Sequence, residues 1–312
     1  MSTTKRPGSR SEHPPVVTAR SGAPLPLMTQ PIHPVDDNGQ TRLDNPLARI
    51  DPALTMPAVP SRVGESAVVF GSAHVPRSNV IATAKPVPAG PPPEIGLTQH
   101  ALPPDEAYDS RLALVIDPDS ERAAAFRVLR HHLLELGRPQ VIIVSSPNPG
   151  EGKTTTALNL ALALAECGRS KVLLAETHVR RPQLASAFRL VPPWCFAEQL
   201  AAHRHQPMLP WSLVEIPQLW LHVAAINPRI EKTQLLDAPA FTIAMERLRL
   251  GGYEHIVIDA PPVLGSADVN LMADSADAVV FALRARESNT RDVRRAIDQI
   301  GASKVAGTVI VE

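Results

Sequence analysis

Hydrophobic and polar positions change rhythm near residue 110. Before it neither a period of 2 nor one of 3.6 is sustained, and the compact run Ala67-Val68-Val69-Phe70 stands alone between Gly64 and Gly71. From Arg111 onward, short apolar runs alternate with amphipathic stretches. Leu112-Ala113-Leu114-Val115-Ile116 ends at Asp117-Pro118. Ser120 then caps a predicted helix through Leu136, with Phe126, Leu129 and Leu133 on one face and Gly137 as its stop. Strands are predicted over 141–145, 171–176, 219–224, 255–259, 278–283 and 304–311, and helices over 154–167, 239–250 and 290–300. Continuous Val/Ile/Leu strands separated by helices imply a mainly parallel sheet covered on both faces. The expected fold is a doubly wound α/β domain.

Composition sharpens the boundary. Of 33 prolines in 312 residues, 19 fall in the first 110, where Phe70 and Tyr108 are the only aromatics. So few large apolar groups cannot offset the entropy of ordering that backbone. We therefore expect residues 1–110 to be a disordered Pro-rich arm and 111–312 to be one globular domain.

Charge and cysteine content narrow the class. Lys plus Arg and Asp plus Glu both number 31, so no global positive field points to nucleic acid. Cys167 and Cys195 do not make a disulfide framework and suit a reducing compartment. Residues 1–10 carry charge with no apolar segment behind them, and the longest apolar stretch, 157–165, contains Asn159. That stretch is far below the roughly 20 residues of a membrane span. A soluble cytoplasmic protein is expected.

The chemistry concentrates in one stretch. Val141-Ile142-Ile143-Val144-Ser145-Ser146-Pro147-Asn148-Pro149-Gly150-Glu151-Gly152-Lys153-Thr154-Thr155-Thr156 has the order strand, glycine loop, Lys-Thr, helix. That is the order of a P-loop, in which backbone N–H groups and a helix N-terminus wrap a phosphate. Pro149, Gly150, Glu151, Gly152, Lys153, Thr154 and Thr155 are the candidate nucleotide-binding residues, with Lys153 on the β- and γ-phosphates and Thr154 on Mg²⁺. Pro147 departs from the strict pattern, which has glycine there. A second candidate is Asp259, at the end of the apolar run His255-Ile256-Val257-Ile258, where a carboxylate can hold a Mg²⁺-bound water. ATP and Mg²⁺ are the implied cofactors.

Taken together, these residues resemble the bacterial tyrosine kinases of capsule and exopolysaccharide assembly, P-loop enzymes related to partition and septum-positioning ATPases. The resemblance covers about 111–312. It rests on Ser120 to Leu133 before the P-loop, Ser145 to Thr154, and Val172 to Pro182 with Arg180-Arg181-Pro182. Asn227-Pro228 followed by Leu235-Leu236-Asp237 and Phe241, then Asp259-x-Pro-Pro-Val with Asp268, complete it. It implies transfer of the ATP γ-phosphoryl to protein tyrosine, with Lys153, Glu176 and Asp259 as catalytic residues and Thr154, Glu176 and Asp259 around the metal. It also implies the cytosolic tail of a membrane polysaccharide co-polymerase as partner, and so a peripheral place at the inner membrane.

Three departures bear on mechanism. Where the family ends its second Walker strand Asp-x-Asp, this chain has Glu176 and His178, which reads either as an altered base and metal site or as a degraded one. Val311 stands where the family places an Asn that helps to read adenine, and Tyr108 and Tyr253 replace a tyrosine-rich tail as acceptors. Ala124 replaces a Glu in the family's ring-forming helix, so Arg127 and Arg130 read either as a self-association face or as a solvated helix face. The alternative function is therefore a catalytically impaired nucleotide-binding regulator of polysaccharide export. A partition-type ATPase ranks third, since Asn148 stands about where such proteins carry an extra lysine. His131-His132 and His203-x-His205 lack metal-ligand spacing and read as surface residues.

Overall fold

The computed structural model describes residues 90–102, 108–228 and 237–311. The expected arm up to residue 89 and the Leu235-Leu236 pair lie outside the described residues. In chain order the elements are β1 (Ile95–Gln99), α1 (Ala113–Ile116), α2 (Glu121–Glu135), β2 (Val141–Ser145), α3 (Lys153–Ala165), β3 (Val172–Glu176) and α4 (Leu184–Ala187). They continue with α5 (Phe196–His205), β4 (Trp211–Ile216), β5 (Leu221–Ala224), α6 (Ala238–Arg249), β6 (His255–Asp259), α7 (Asp268–Ser275), β7 (Ala278–Arg284), α8 (Thr290–Ile300) and β8 (Val305–Val311).

The strands form one sheet in the order β1-β4-β5-β3-β6-β2-β7-β8. Neighbours run parallel except β4 and β5, which are antiparallel. The alternation of side chains along each strand builds two cores. Ile142, Val144, Val172, Leu174 and Val257 pack with α2 and α3 on one face. Val141, Ile143, Leu173, Ile256 and Ile258 pack with α5, α6 and α7 on the other. The doubly wound α/β expectation holds.

One strand begins before the expected domain start at Arg111. β1 lies inside the stretch assigned to the arm and pairs in parallel with β4 from Ile95↔Trp211 to Gln99↔Glu215. Its sequence, Ile-Gly-Leu-Thr-Gln, is an edge strand exposed at four of five positions, so it carries no apolar alternation to read. Backbone bonds flank it at both ends, Trp211 N–H to Glu94 O at 2.8 Å and His100 N–H to Glu215 O at 2.8 Å.

α2 follows its expected course. Ser120 accepts the Ala123 N–H at 3.2 Å as its N-cap, and Phe126, Leu129 and Leu133 are buried. Arg127 and Arg130 are engaged within the chain. The Arg127 guanidinium forks onto Glu166 at 2.9 and 2.6 Å and also reaches Pro118 O at 2.6 Å. Arg130 donates to Glu166 at 3.0 Å and to Ala163 O at 2.7 Å, tying α2 to the end of α3. Arg127 chiefly, then Arg130, holds the Glu166 carboxyl below the usual range. A second copy using this face would compete with Glu166. Glu166→Ala is expected to cost about 1 kcal/mol of stability, since the network is bidentate but partly exposed. Urea denaturation with an unchanged midpoint would contradict this.

Candidate nucleotide-phosphate site

The sheet brings the candidate residues to the carboxyl ends of three adjacent strands, where open α/β folds bind ligands. Asp259, last in β6, is in register with Val144 of β2 and with Glu176 of β3. Between β2 and α3 the chain turns through two glycines at φ 87°, Gly150 and Gly152, a region that disfavours side chains. Gly152 is needed for space as well, because a Cβ there would lie 3.0 Å from the Val311 side chain on β8.

Pro147 fits despite its departure from the strict motif. It is buried, and its carbonyl accepts the Leu264 N–H at 3.0 Å, while Ser146 O accepts from Val263 at 2.8 Å. The loop entrance is thus stitched to the segment after β6, and the missing N–H of proline leaves no bond unmade.

Lys153, Thr154 and Asp259 come together. The Thr154 hydroxyl donates to Asp259 Oδ2 at 2.8 Å, whereas Asp259 Oδ1 is buried with no protein partner. Burial pushes the Asp259 carboxyl up to about 6, against the pull of Thr154, Lys153 and Arg111. Burial draws the Lys153 ammonium down, opposed by the charges of Asp259 and Glu151. An orphaned carboxylate oxygen beside a hydroxyl at the mouth of a glycine loop fits a hard cation such as Mg²⁺, which takes few protein oxygens and completes its shell with water and phosphate. No group of three or more metal-ligating His, Cys, Asp or Glu occurs among the described residues, which excludes a dedicated side-chain cage there.

Glu176 is placed differently from the metal-ligand expectation. One oxygen accepts the backbone N–H of Gln183 and that of Leu184 (3.0 Å), and the other accepts Ile226 N–H at 3.0 Å. Both oxygens are committed to backbone because the extra methylene, relative to aspartate, carries the carboxylate to the start of α4 and the exit of β5. Burial, then the Asp259 charge, pushes its carboxyl up to about 7.

His178 departs from the general-base expectation. Burial first, then Lys153, Arg181 and Arg180, lowers its imidazole to about 4, so it is neutral and weakly basic at pH 7. We predict a proton NMR titration midpoint for His178 near 4, and one near the ordinary 6.5 would contradict it. The unfolded chain takes this proton first, so the stability His178 contributes above pH 6.5 is lost as pH falls through 4.

Tyr253 is buried, with its hydroxyl 2.8 Å from His222 Nδ1 and its ring under Lys171, so it has no route to an incoming phosphoryl group. Tyr108 is partly buried against the α2 and α3 core. His203 is not a surface residue: it is buried, stacks on Trp211 with ring centroids 3.7 Å apart, and is bonded to Gln199 O and Leu209 O. His131 is exposed as expected.

The motifs gave no sign of Arg111. Its guanidinium holds Asp109 at 2.7 Å and Gln183 at 3.0 Å, and its charge acts on Asp259 and Glu176. Asn159 secures that segment, donating to Arg111 O and Thr155 O at 2.7 Å each. A lone arginine after a proline-rich stretch has no local signal that could reveal this.

No family model matches the chain. It is 28% identical over 52% of its length to the tyrosine-protein kinase CpsD of Streptococcus pneumoniae, covering 70% of that protein. It is 26% identical over 61% of its length to EpsB of Ralstonia solanacearum, of which it spans 25%. It is 26% identical over 66% of its length to the succinoglycan biosynthesis transport protein ExoP of Rhizobium meliloti, of which it spans 28%. Among solved structures, the chimerical protein CapA2B2 superposes with a TM-score of 0.56 and 26% identity, over 70% of this chain and 93% of that one. The chain is a homologue of the bacterial tyrosine-protein kinases.

Proposed function

We propose that the domain binds Mg-ATP at 149–155 and transfers the γ-phosphoryl group to a protein tyrosine, as part of polysaccharide synthesis and export. The observation that carries this reading is the Thr154–Asp259 pair with its free carboxylate oxygen, set beside the buried Lys153 and below the two left-handed glycines. The amides of 150–154 and the N-terminus of α3 would hold the β- and γ-phosphates. Lys153 would follow the charge on the transferring group, and Thr154 with Asp259 would hold the metal. Mg²⁺, when bound, supplies charge neutralisation between the phosphates. Positioning and electrostatics, rather than covalent chemistry, are what these residues offer.

A membrane polysaccharide co-polymerase is the partner we propose. The chain spans about a quarter of ExoP and EpsB, and the likeness to ExoP, a succinoglycan biosynthesis transport protein, is what supports that reading. No helix among the described residues is long and apolar enough to cross a membrane.

A second reading, a nucleotide-binding regulator without transfer, is favoured by Glu176 and His178. Neither offers a free carboxylate or a competent base for deprotonating a tyrosine. Incubating the full chain with γ-labelled ATP, Mg²⁺ and a Glu–Tyr copolymer separates the two. Labelled copolymer supports the kinase; nucleotide binding without label transfer or hydrolysis supports the regulator.

A further inference from the structure

Glu151 sits inside a loop built for anions, yet it is 5% exposed and acidic. A carboxylate there repels phosphate and costs desolvation, so the fold must hold it for a reason. Both oxygens are bonded. Oε2 accepts the Asn148 N–H at 2.7 Å, within the loop itself. Oε1 accepts the Ser288 hydroxyl at 2.5 Å, from the turn between β7 and α8. Ser288 is fixed in turn, accepting the Arg284 N–H at 2.8 Å. The elements on either side of that turn, the end of β7 and the first turn of α8, reach the loop at two further points. Asn148 Nδ2 donates to Asp292 at 3.2 Å, and the Arg284 guanidinium lies 3.4 Å from Gly150 O.

We infer that Glu151 and Ser288 are positioning residues that hold the phosphate loop in its receptive form before nucleotide arrives. The chain Arg284 N–H to Ser288 to Glu151 to Asn148 N–H turns the Asn148 amide toward the carboxylate. The amides of 150–154 are left to converge on phosphate. The Glu151 charge also supports the Lys153 ammonium against burial. Charge-assisted bonds from both sides offset the cost of placing an acid here. The inference rests on reading this loop as the nucleotide site, and it adds the β7–α8 turn to that site.

The test is calorimetric titration of the full chain with Mg-ADP and Mg-ATP. Ser288→Ala keeps the Glu151 charge and removes one charge-assisted bond, so it is expected to bind both nucleotides about tenfold more weakly. Ser288→Thr, which retains the hydroxyl, should restore affinity. The thermal midpoint without nucleotide should not change, while amide exchange at 149–153 should quicken and that of β2 should not. These paired readouts distinguish positioning from general support. Equal affinity in wild type and Ser288→Ala overturns the inference and leaves nucleotide binding intact. Failure of the wild type to bind either nucleotide overturns both. Should Ser288→Ala not fold, Ser288→Cys, whose thiol donates only weakly to Glu151, takes its place with a loss of about threefold expected, and unchanged affinity there is equally fatal.

Discussion

Lys153→Ala should weaken Mg-ATP binding by at least about a hundredfold while the domain stays folded. Lys153 is 6% exposed at the start of α3, so its ammonium is already stripped of most water before any ligand binds. The fold bears that cost, visible in the downward pull on its pKa, and an incoming triphosphate receives a desolvated cation at full strength. Removing one member of a buried charge constellation typically costs about 3–5 kcal/mol, or roughly two to three and a half decades of affinity. Two effects on the apo domain oppose each other. The buried cation disappears, which favours the fold, but Asp259 loses a compensating charge. Thermal stability should therefore shift little compared with affinity. Lys153→Met, which keeps the stem, should bind as poorly as alanine if charge rather than packing is responsible. Unchanged calorimetric affinity in either variant would sink nucleotide binding at this loop.

How much of this was legible in sequence depends on how local each cause is. The phosphate loop could be read because strand, glycines, Lys-Thr and helix are contiguous, and each is set by its own backbone. The two φ 87° positions are the two glycines, and only there does the motif specify geometry directly. Asp259 could be placed because a buried strand ending in a carboxylate is itself a local pattern. β4 was missed although Trp211, Leu213, Val214 and Ile216 are buried, because prolines 210 and 217 bracket a run of only six residues in which adjacent Leu213 and Val214 break the alternation. α5 and α7 were missed for want of caps: Cys195 and Ala267 precede them, and neither side chain satisfies an N-terminal amide. Ser288 was out of reach because its partner lies 137 residues away.

Glu176 marks the limit most clearly. It stands in register with Asp259, but the use of its carboxylate is decided by tertiary reach. One methylene more than aspartate lets it accept amides from the start of α4 and from beyond β5, and those bonds exist only once the sheet has formed.

That placement makes Glu176 the largest stability determinant we predict. Glu176→Ala leaves three N–H groups without acceptors, the buried ones of Leu184 and Ile226 and the part-buried one of Gln183. At about 1–3 kcal/mol for each buried group left unsatisfied, and allowing for partial relaxation, a loss of about 4 kcal/mol is expected. The segment 177–183 also loses its anchor, and with it the placement of His178, Arg180 and Arg181 beside Lys153, so nucleotide affinity should fall too. Glu176→Gln is the sharper probe. Its amide oxygen can still accept from Gln183 and Leu184, but its NH₂ meets the Ile226 N–H donor to donor, costing about 1–3 kcal/mol. The penalty should depend on pH. The wild-type carboxyl titrates near 7 in the fold against an ordinary 4.5, so the native state holds a proton that the unfolded chain has released. Wild-type stability therefore declines as pH rises from about 4.5 to about 7, while glutamine does not titrate, and the gap between the two proteins narrows over that window. Chemical denaturation at the two ends of the range measures it. A gap that widens toward neutrality would mean that the three amides hold the carboxylate ionised more strongly than burial and Asp259 oppose it.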